Sequence, residues 1–281
     1  MGCYCCKLSY FWKDNSSLHD LQLKLHGDET WVKKHKKNLK VRDLGSGAHG
    51  KTQLWHLPGL DEPVVLKVIL NTETGSKDML REVDIMKLLD GAGGAPYVLC
   101  TYPEDRCYFM TYVGAENLRD LIYKQLNGLI RLEDLFWLRV IEDVIVKLNE
   151  VHQKGVVHGD FKSNNIIIDR SDPLKPQAAI IDFGISVLQG QVVTKRQEPE
   201  QVEKLLTRSP WYAYEAAMGT PVTCSADVVG VSYMIYQVVQ AMVCKPYELQ
   251  DCVQFGMSRN ESERPTLKEF LRNTRSAIQF Y

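Results

Sequence analysis

Residues 158–165 read His-Gly-Asp-Phe-Lys-Ser-Asn-Asn, a short polar stretch with charged side chains. Apolar runs flank it, with Val156-Val157 before it and Ile166–Ile168 after it. A polar loop fixed between two apolar runs can hold its side chains in defined directions, which a chemical site requires. The loop therefore presents a carboxylate at Asp160 and an ammonium at Lys162 from a rigid base.

The charges of this loop indicate its chemistry. Asp160 can accept the proton of an attacking hydroxyl, and Lys162 can neutralise a phosphoryl group during its transfer. Asn165 offers a neutral oxygen to magnesium; Asn164 competes for that role, but only Asn165 lies five residues after Asp160. Asp182 stands between a short apolar strand and Phe-Gly, where a carboxylate can hold a phosphate-bridged metal. Together these residues predict a phosphoryl-transfer site.

Lys67 supplies a further positive charge, in the strand-like run Val-Val-Leu-Lys. Its neighbours on the same face of that strand are Val65 and Ile69, both apolar. Burying an ammonium without a counter-charge costs several kcal/mol. The following helix offers Glu82, so a pair between Lys67 and Glu82 is predicted. Without the downstream motifs, Lys67 would be an edge-strand lysine that extends to solvent.

The glycine-rich stretch 45–52 matches two phosphate-binding patterns, G-x-G-x-x-G and G-x-x-x-x-G-K-[ST]. The second pattern requires a helix directly afterwards, whose N-terminus holds the phosphates. Here Pro58 and Gly59 follow soon and another strand-like run comes next. The order favours a glycine-rich hairpin, in which Lys51 is an exposed neighbour.

Periodicity divides the chain into a strand-rich first part and a helical second part. This predicts an α+β fold in two lobes, with the joint near Tyr112–Glu116. In the first part, Ser76 would cap the one helix and Gly91 would stop it. The predicted strands are Val41–Leu44, Thr52–Leu57, Val64–Leu70, Tyr97–Tyr102 and Arg106–Val113, and the predicted helices are Lys77–Leu89, Leu135–His152 and the buried Val228–Val239.

From about residue 39 to 272, these motifs in this order resemble a eukaryotic-type protein kinase of the serine/threonine class, with His-Gly-Asp where the family usually has His-Arg-Asp. The resemblance implies a bilobal fold, with a small, mostly antiparallel lobe containing one helix at 39–113 and a larger helical lobe at 114–275. Residues 1–38 would be an N-terminal extension and 276–281 a C-terminal tail.

The resemblance also implies the substrates, the cofactor and the site. The γ-phosphoryl group of ATP would pass, with Mg²⁺ or Mn²⁺, to serine or threonine hydroxyls of a protein substrate. Met110 would lie at the back of the adenine pocket and Thr111–Val113 would form the hinge. The implied catalytic residues are Asp160, Lys162 and Asn165, the metal ligands are Asn165 and Asp182, and the nucleotide-binding residues are Gly45, Ser46, Gly47, Gly50, Thr52, Val65, Lys67, Glu82, Met110, Thr111, Val113 and Asp182.

Later motifs are similar to the same family. Trp211-Tyr-Ala-Tyr-Glu215 resembles the segment ending in Ala-Pro-Glu, and Glu215 is expected to pair with Arg264. Asp227 resembles the aspartate that braces the catalytic loop. The family usually has a threonine seven residues before the glutamate of Ala-Pro-Glu, and this chain has Arg208 at that position, seven residues before Glu215.

The His-Gly-Asp sequence departs from the family pattern in one further respect. Gly159 stands where the family has the arginine that grips a phosphate on the activation segment, which argues against switching by that route and favours constitutive activity.

Two alternatives remain open from the sequence. Small-molecule kinases of the aminoglycoside and choline phosphotransferase type also use His-Gly-Asp with an asparagine five residues later. An ATP-binding scaffold without catalysis is the second. Lys162 and the set Glu215, Asp227 and Arg264 favour a protein kinase over the first. The intact set of catalytic residues argues against the second.

Composition bounds the partners and the location. The chain has 281 residues and a formal net charge of −1, which gives no indication of nucleic-acid binding. No run of about 20 apolar residues is present, so no membrane-spanning helix is expected and the protein is expected to be cytoplasmic. A monomer is also expected. Met1-Gly2-Cys3-Tyr4-Cys5-Cys6 partly matches a myristoylation signal. With Cys3, Cys5 and Cys6 as palmitoylation sites and the basic run 33–37, it predicts peripheral membrane contact.

Overall fold

The computed structural model describes residues 40–47, 50–57, 62–70, 75–194 and 197–281. The predicted membrane-targeting segment, with Gly2, Cys3, Cys5 and Cys6, lies outside these residues, as do the basic run 33–37 and the Pro58-Gly59 turn. The chain divides into two compact units. The first comprises the described residues up to Gly91 together with Ala95–Ala115, and the second comprises Ala92–Gly94 and Glu116–Tyr281.

The first unit is an antiparallel sheet with one helix. Its strands are β1 (Lys40–Gly47), β2 (Gly50–Trp55), β3 (Val64–Val68), β4 (Val98–Tyr102) and β5 (Cys107–Thr111), in the spatial order β1-β2-β3-β5-β4. Helix α1 (Gly75–Leu89) follows β3. Because side chains alternate along each strand, one sheet face collects a buried apolar cluster that includes Trp55, Leu66 and Phe109.

Helix α1 begins earlier than predicted. It starts at Gly75, so Ser76 lies within its first turn and is not the cap that the sequence suggested. The Ser76 hydroxyl donates instead to the carbonyl oxygen of Pro103, 3.1 Å away. The predicted end is confirmed, since the helix stops at Leu89 and Gly91 has a φ of 78°.

The second unit is mainly helical, which together with the sheet of the first unit confirms the predicted α+β class. Two short antiparallel ladders pair β6 with β9 and β7 with β8. Of their four strands, the sequence predicted only the short strand before Asp182, which is β8. These strands are β6 (Val156–Val157), β7 (Ile166–Asp169), β8 (Gln177–Ile180) and β9 (Val187–Leu188), and the helices are α2 (Leu118–Leu126), α3 (Asp134–Gln153), α4 (Pro199–Arg208), α5 (Tyr214–Ala217), α6 (Ser225–Gln240), α7 (Gln250–Gly256) and α8 (Leu267–Ile278).

Helices α3 and α6 form the interior of this unit. The predicted face of α3 is confirmed: Leu138, Ile141, Ile145, Leu148 and Val151 are each at most 1% exposed. The helix ends before Gly155, whose φ of 72° suits a glycine just past a helix C-terminus. Helix α6 is buried along most of its length, as its apolar sequence predicted.

The end of the chain packs onto this unit. Helix α8 begins with a capping box between Thr266 and Glu269 and extends to Ile278, past the boundary placed at 275. Ala277 is 2% exposed, and the Tyr281 hydroxyl donates to Asp134 Oδ2 at 3.3 Å. Residues 276–281, expected to form a separate tail, therefore contact the helical unit through Ala277 and the Tyr281 hydroxyl, whereas the side chains of Phe280 and Tyr281 are 72% and 54% exposed.

Two further properties concern the described residues. None of the helices in this part of the chain combines the length and apolarity needed to cross a membrane. The described cysteines are free thiols, and Cys100, Cys107 and Cys252 among them are buried.

Candidate active site

Lys67 and Glu82 form the predicted ion pair in the first unit. Lys67 lies on β3 and Glu82 on α1, with 2.6 Å between Lys67 Nζ and Glu82 Oε1. The two side chains are 5% and 2% exposed. A buried ammonium without a counter-charge would be strongly unfavourable, so this contact fixes both the lysine and the helix that carries its partner.

The sheet face around Lys67 carries other predicted nucleotide-binding residues. Thr52 lies opposite Lys67 on β2, and Met110 lies opposite Val65 on β5. Directly opposed residues of an antiparallel pair share a face, so these four side chains lie on one face of the sheet. Tyr108, also opposite Lys67, donates its hydroxyl to Met86 Sδ of α1 at 3.7 Å, which places α1 on the same face.

Thr111 differs from these residues. It lies opposite Val64, so its side chain belongs to the other face of the sheet. That side chain is 2% exposed, and its Oγ1 accepts a hydrogen bond from the Tyr97 amide at 2.9 Å. Its predicted contribution to a hinge with Val113 is therefore limited to the main chain.

The glycine-rich stretch is a hairpin between β1 and β2, as the sequence predicted. Gly47 pairs with Gly50 and Gly45 with Thr52. Strand β2 begins at Gly50, so the helix that a P-loop requires is absent at this point of the described chain. Gly50 has a φ of 147°, and a Cβ there would lie 2.4 Å from the Val68 carbonyl oxygen. Only glycine fits this closely packed position.

In the second unit, the loop 158–165 runs from β6 to β7, ending in a single helical turn at Ser163–Asn165. Gly159 has a φ of 79°, and a Cβ there would lie 3.3 Å from the Ile185 carbonyl oxygen. A residue with a side chain would be strained in this conformation. The glycine of His-Gly-Asp thus fits the backbone that the loop adopts.

Asp160 is held by three side chains. Lys162 Nζ lies 2.5 Å from Asp160 Oδ2, and Asn165 Nδ2 donates to the Asp160 carbonyl oxygen at 2.9 Å. Trp211 Nε1 donates to the other carboxylate oxygen, Oδ1, at 2.8 Å. The loop therefore brings together the three residues predicted to be catalytic.

Sequence reasoning missed the contact from Trp211. It gave Trp211 only as part of a segment similar to Ala-Pro-Glu. The one signal available was a large indole directly after the polar stretch Thr207–Pro210.

One face of α6 supports the loop from below. Asp227 accepts hydrogen bonds from the amides of His158 and Gly159 at 2.8 and 2.9 Å, which confirms its predicted bracing role. Gly230 lies against the loop, since a Cβ there would be 2.2 Å from the Phe161 carbonyl oxygen. Gln237 Oε1 accepts from the Ser163 hydroxyl at 2.9 Å. These α6 residues are spaced so that they lie on one face of the helix, although the sequence predicted a role only for Asp227 among them.

Asp227 also pairs with His152 of α3, at 2.9 Å between Oδ2 and Nε2. Burial acts to raise the pKa of Asp227, but the hydrogen bond and charge of His152, the charge of His158 and the Gly159 amide together lower it. Burial acts to lower the pKa of His152, yet Asp227 and Cys224 raise it to about 9. The brace beneath the loop is therefore an ion pair at neutral pH.

Asp182 follows β8 and has an unusual backbone, with a φ of 66°. Ile181, directly before it, donates its amide to the Asn165 carbonyl oxygen at 2.9 Å. Phe183, directly after it, is fully buried with its ring 5.1 Å from that of His158. The backbone thus ties the two predicted metal ligands, Asn165 and Asp182, to one small region.

These donors suit a hard cation. An amide oxygen and a carboxylate are ligands that Mg²⁺ accepts, and protein sites supply only one or two carboxylates when substrate phosphates complete the shell. Within the described chain, no group of three or more His, Cys, Asp or Glu forms a metal cluster by itself. Asn165 and Asp182 therefore fit a phosphate-bridged magnesium ion.

Glu215 and Arg264 form the predicted pair. Arg264 Nη1 and Nη2 lie 2.5 and 2.8 Å from the two carboxylate oxygens of Glu215, and the arginine side chain is fully buried. Such a bidentate contact fixes α5 and the segment before it.

The comparisons with known proteins agree with this geometry. Residues 39–258 match the protein kinase domain, so the chain belongs to the protein kinase family. It is 24% identical to the serine/threonine-protein kinase STY46 of Arabidopsis thaliana, over 82% of this chain and 38% of that protein. It is also 24% identical to the serine/threonine-protein kinase pkn3 of Myxococcus xanthus, over 79% of this chain and 40% of that protein.

A third relative is the serine/threonine-protein kinase PrkC of Bacillus subtilis, 22% identical over 82% of this chain and 34% of that protein. The chain thus spans well under half of the length of these curated relatives. ATP and a divalent cation are the general requirements of the family.

Proposed function

We propose that this protein transfers the γ-phosphoryl group of ATP to serine or threonine hydroxyls of protein substrates. The observation that carries the proposal is the fixed position of Asp160. Lys162 Nζ lies 2.5 Å from its carboxylate, and Asn165 Nδ2 donates to its main-chain carbonyl oxygen at 2.9 Å. The names of the relatives in Arabidopsis thaliana, Myxococcus xanthus and Bacillus subtilis support the acceptor class.

The nucleotide would be bound by groups that the fold already fixes. Lys67, held by Glu82, would contact the α- and β-phosphates, and the amides of the 45–50 hairpin would cover the γ-phosphate. Val65, Thr52 and Met110 would line the adenine pocket. Asn165 Oδ1 and the Asp182 carboxylate would hold magnesium, which neutralises phosphate charge when bound.

The chemical step would rest on the loop itself. Asp160 would orient the attacking hydroxyl and take its proton, and Lys162 would offset charge that spreads over the phosphoryl oxygens in a loose transition state. These two side chains are in direct contact, with 2.5 Å between Lys162 Nζ and Asp160 Oδ2. Positioning of this kind lowers the barrier without a covalent enzyme intermediate.

The experiment that tests the activity separates three classes of protein. The purified chain is incubated with labelled ATP and Mg²⁺, either with a basic protein mixture or with aminoglycosides, choline and sugars. Label on serine or threonine of the proteins, absent with Asp160→Asn, is expected. Label on a small molecule would identify a small-molecule kinase, and ATP binding without transfer would identify a scaffold; either result overturns the proposal.

The metal assignment has its own test. Asp182→Ala should weaken Mg²⁺-dependent ATP binding in a calorimetric titration, because it removes the only charged ligand assigned to the ion. ATP affinity measured with EDTA in place of Mg²⁺ should change little. An unchanged affinity in the presence of Mg²⁺ would contradict the assignment.

We infer further that activity does not require phosphorylation of the activation segment. Gly159 occupies the position of the phosphate-gripping arginine. Helix α4, which lies in this segment between Asp182 and Glu215, is instead packed through buried Val202, while Glu203 adds only solvent-exposed contacts to Arg259 at 2.8 and 2.7 Å. Phosphatase-treated protein should keep its activity. A loss that returns on rephosphorylation would refute this inference.

We also propose peripheral attachment to a membrane, on sequence alone. Acylation of Gly2 with palmitoylation at Cys3, Cys5 or Cys6 would supply the two signals that stable anchoring requires, and the basic run 33–37 would add attraction to anionic lipid. Fractionation of cells that express Gly2→Ala should move the protein from membrane to cytosol. An unchanged distribution would end the proposal.

A further inference from the structure

Trp211 contacts both Asp160 and Lys162, the two residues of the ion pair in the loop 158–165. Its Nε1 donates to Asp160 Oδ1 at 2.8 Å, and Lys162 Nζ lies 5.1 Å from the centre of its ring. We propose that Trp211 is a positioning residue, which fixes the Asp160 carboxylate for phosphoryl transfer. This inference rests on the proposed function, because it concerns the same reaction.

The hydrogen bonds on Asp160 leave a defined place for a substrate. Each carboxylate oxygen can accept about two hydrogen bonds. Oδ2 is contacted by Lys162 at 2.5 Å and by Asn165 Nδ2 at 3.3 Å, so its positions are filled. Oδ1 accepts from Trp211. One acceptor position on Oδ1 is thus left for the substrate hydroxyl, and the indole determines its direction.

The step that this orientation serves balances without another reactant. The substrate O–H bond breaks and its proton passes to Oδ1 of Asp160, while the substrate oxygen forms its bond to the γ-phosphorus. The bond between that phosphorus and the bridging oxygen breaks, and its electron pair leaves on ADP. Trp211 neither gains nor loses a proton.

The chemistry of the indole suits this role. Its N–H is a donor only and cannot accept the substrate proton, so it does not compete with Asp160. Its ring also places a negative π-face near the ammonium of Lys162, which favours the cation. A single side chain therefore orients the carboxylate and restrains the lysine that would neutralise the phosphoryl group.

Trp211 is itself held by the helix that holds the loop. Its ring lies 6.1 Å from that of Tyr233 on α6, and Tyr233 stacks on Tyr236 at 6.3 Å. Tyr233 lies three residues after Gly230, on the face that supports Phe161. The donor and the acceptor of the hydrogen bond are thus both positioned from α6, so their separation is fixed by one rigid element.

Kinetics with matched substitutions test the proposal. Trp211→Phe keeps an aromatic ring but removes the N–H, and it should lower kcat roughly tenfold while both KM values change less than about twofold. The matched control is Trp137→Phe in α3, which removes a buried indole N–H that has no partner. It should leave kcat unchanged. Equal kcat for Trp211→Phe and the wild type would overturn the proposal.

A double-mutant cycle shows whether Trp211 acts through Asp160. If it does, Trp211→Phe should have little further effect on the residual turnover of Asp160→Asn, because the oriented carboxylate is already lost. The same tenfold loss in both backgrounds would overturn a role through the carboxylate and indicate general damage to the unit.

A spectroscopic readout separates this inference from the proposed activity. The chain has five tryptophans, and the ¹⁵N-indole signal of Trp211 can be assigned from the signal missing in Trp211→Phe. In Asp160→Asn that signal should shift while the Trp137 signal stays. If the wild type transfers phosphate but the signal is unshifted in Asp160→Asn, the contact and this inference are overturned. If the signal shifts but the wild type transfers no phosphate, the contact stands and the proposed function is overturned.

Discussion

Two lysines of this protein each hold a carboxylate, and their surroundings differ. Lys67 and Glu82 are 2.6 Å apart with side chains 5% and 2% exposed. Lys162 and Asp160 are 2.5 Å apart with side chains 23% and 12% exposed. The first pair lies between a strand and a helix of the sheet unit, whereas the second lies within one short loop of the helical unit.

The difference separates a pair that positions a group from a pair that reacts. The Lys67–Glu82 pair is almost completely enclosed, so removing either partner leaves a charge in a low-dielectric surrounding. The Asp160 carboxylate is shared among Lys162, Asn165 and Trp211 and keeps an acceptor position for a substrate. We therefore expect changes in the first pair to affect stability and nucleotide binding, and changes in the second to affect turnover.

The largest effect should come from Asp160→Asn. The amide keeps the shape of the side chain but cannot take the proton of the attacking hydroxyl, so kcat should fall by about 10³-fold. ATP affinity should remain near the wild-type value, because the carboxylate acts on the hydroxyl and not on the nucleotide. Steady-state turnover and an ATP titration on the same preparation measure both quantities. An equal loss of ATP affinity would show that Asp160 also acts on nucleotide binding, which would contradict the difference between the two pairs.

Lys67→Met and Lys162→Met apply the same substitution to the two pairs. Lys67→Met leaves buried Glu82 without its counter-charge and should lower the free energy of unfolding by about 3–5 kcal/mol. Lys162→Met removes a partly exposed ammonium and should cost less than about 1 kcal/mol, with a loss of turnover instead. Denaturant unfolding measures the two stabilities.

A compensating variant refines this test. Lys67→Met combined with Glu82→Leu removes both charges, so most of the lost stability should return, since apolar replacements of a buried pair are often well tolerated. ATP affinity should not return, because no cation remains for the phosphates. Recovery of both would indicate that Lys67 is only a structural residue.

The two pairs also differ in how readily the sequence predicts them. The Lys67–Glu82 contact follows from a lysine on an apolar strand and a glutamate on the next helix, both of which periodicity reveals. The carboxylate and lysine of the loop follow from their spacing in His-Gly-Asp-Phe-Lys. Each prediction needs only local structure and one charge to be neutralised.

The contact from Trp211 could not be predicted in this way. Trp211 lies 51 residues after Asp160, so the contact depends on the chain path through β9 and α4. Helix α4 was itself missed, since its ten residues bury only Val202 among the core positions. The predicted Ser76 cap was wrong for a related reason: the helix begins at Gly75, two residues before the predicted start, and the serine hydroxyl donates instead to the Pro103 carbonyl oxygen. Tertiary contacts decide such positions.

A third pair, His152–Asp227, extends the comparison to pH. Asp227 and Cys224 raise the pKa of His152 from 6.5 to about 9. Besides the two partners, the titratable groups that face this pair are Cys224 and His158. A raised pKa means that the folded protein holds the proton more tightly. Its stabilising contribution is complete below pH 6.5, declines as the pH rises, and is lost above about pH 9.

Unfolding measured across this window checks the sign. Wild-type stability should fall between pH 6.5 and 9 by up to about 3 kcal/mol more than that of His152→Gln, because glutamine keeps a donor for Asp227 but does not titrate. The difference between the two proteins removes the contribution of other titrating groups. A variant with the same slope as the wild type would show that His152 does not form the ion pair.

The smallest effect should come from an ion pair at the surface. Glu203 of α4 contacts Arg259 with side chains 54% and 59% exposed, and the hydrogen bonds and charge of Arg259 lower the pKa of Glu203. Exposed pairs are hydrated and screened by salt, so Glu203→Gln should lower the unfolding midpoint slightly in dilute buffer and not at all in high salt. The matched control is Glu200→Gln on the same helix, which removes an exposed carboxylate of the first turn and its contact to Lys204. If Glu203→Gln destabilised the protein as much as Lys67→Met, exposure would not determine what these pairs contribute, and the comparison would fail.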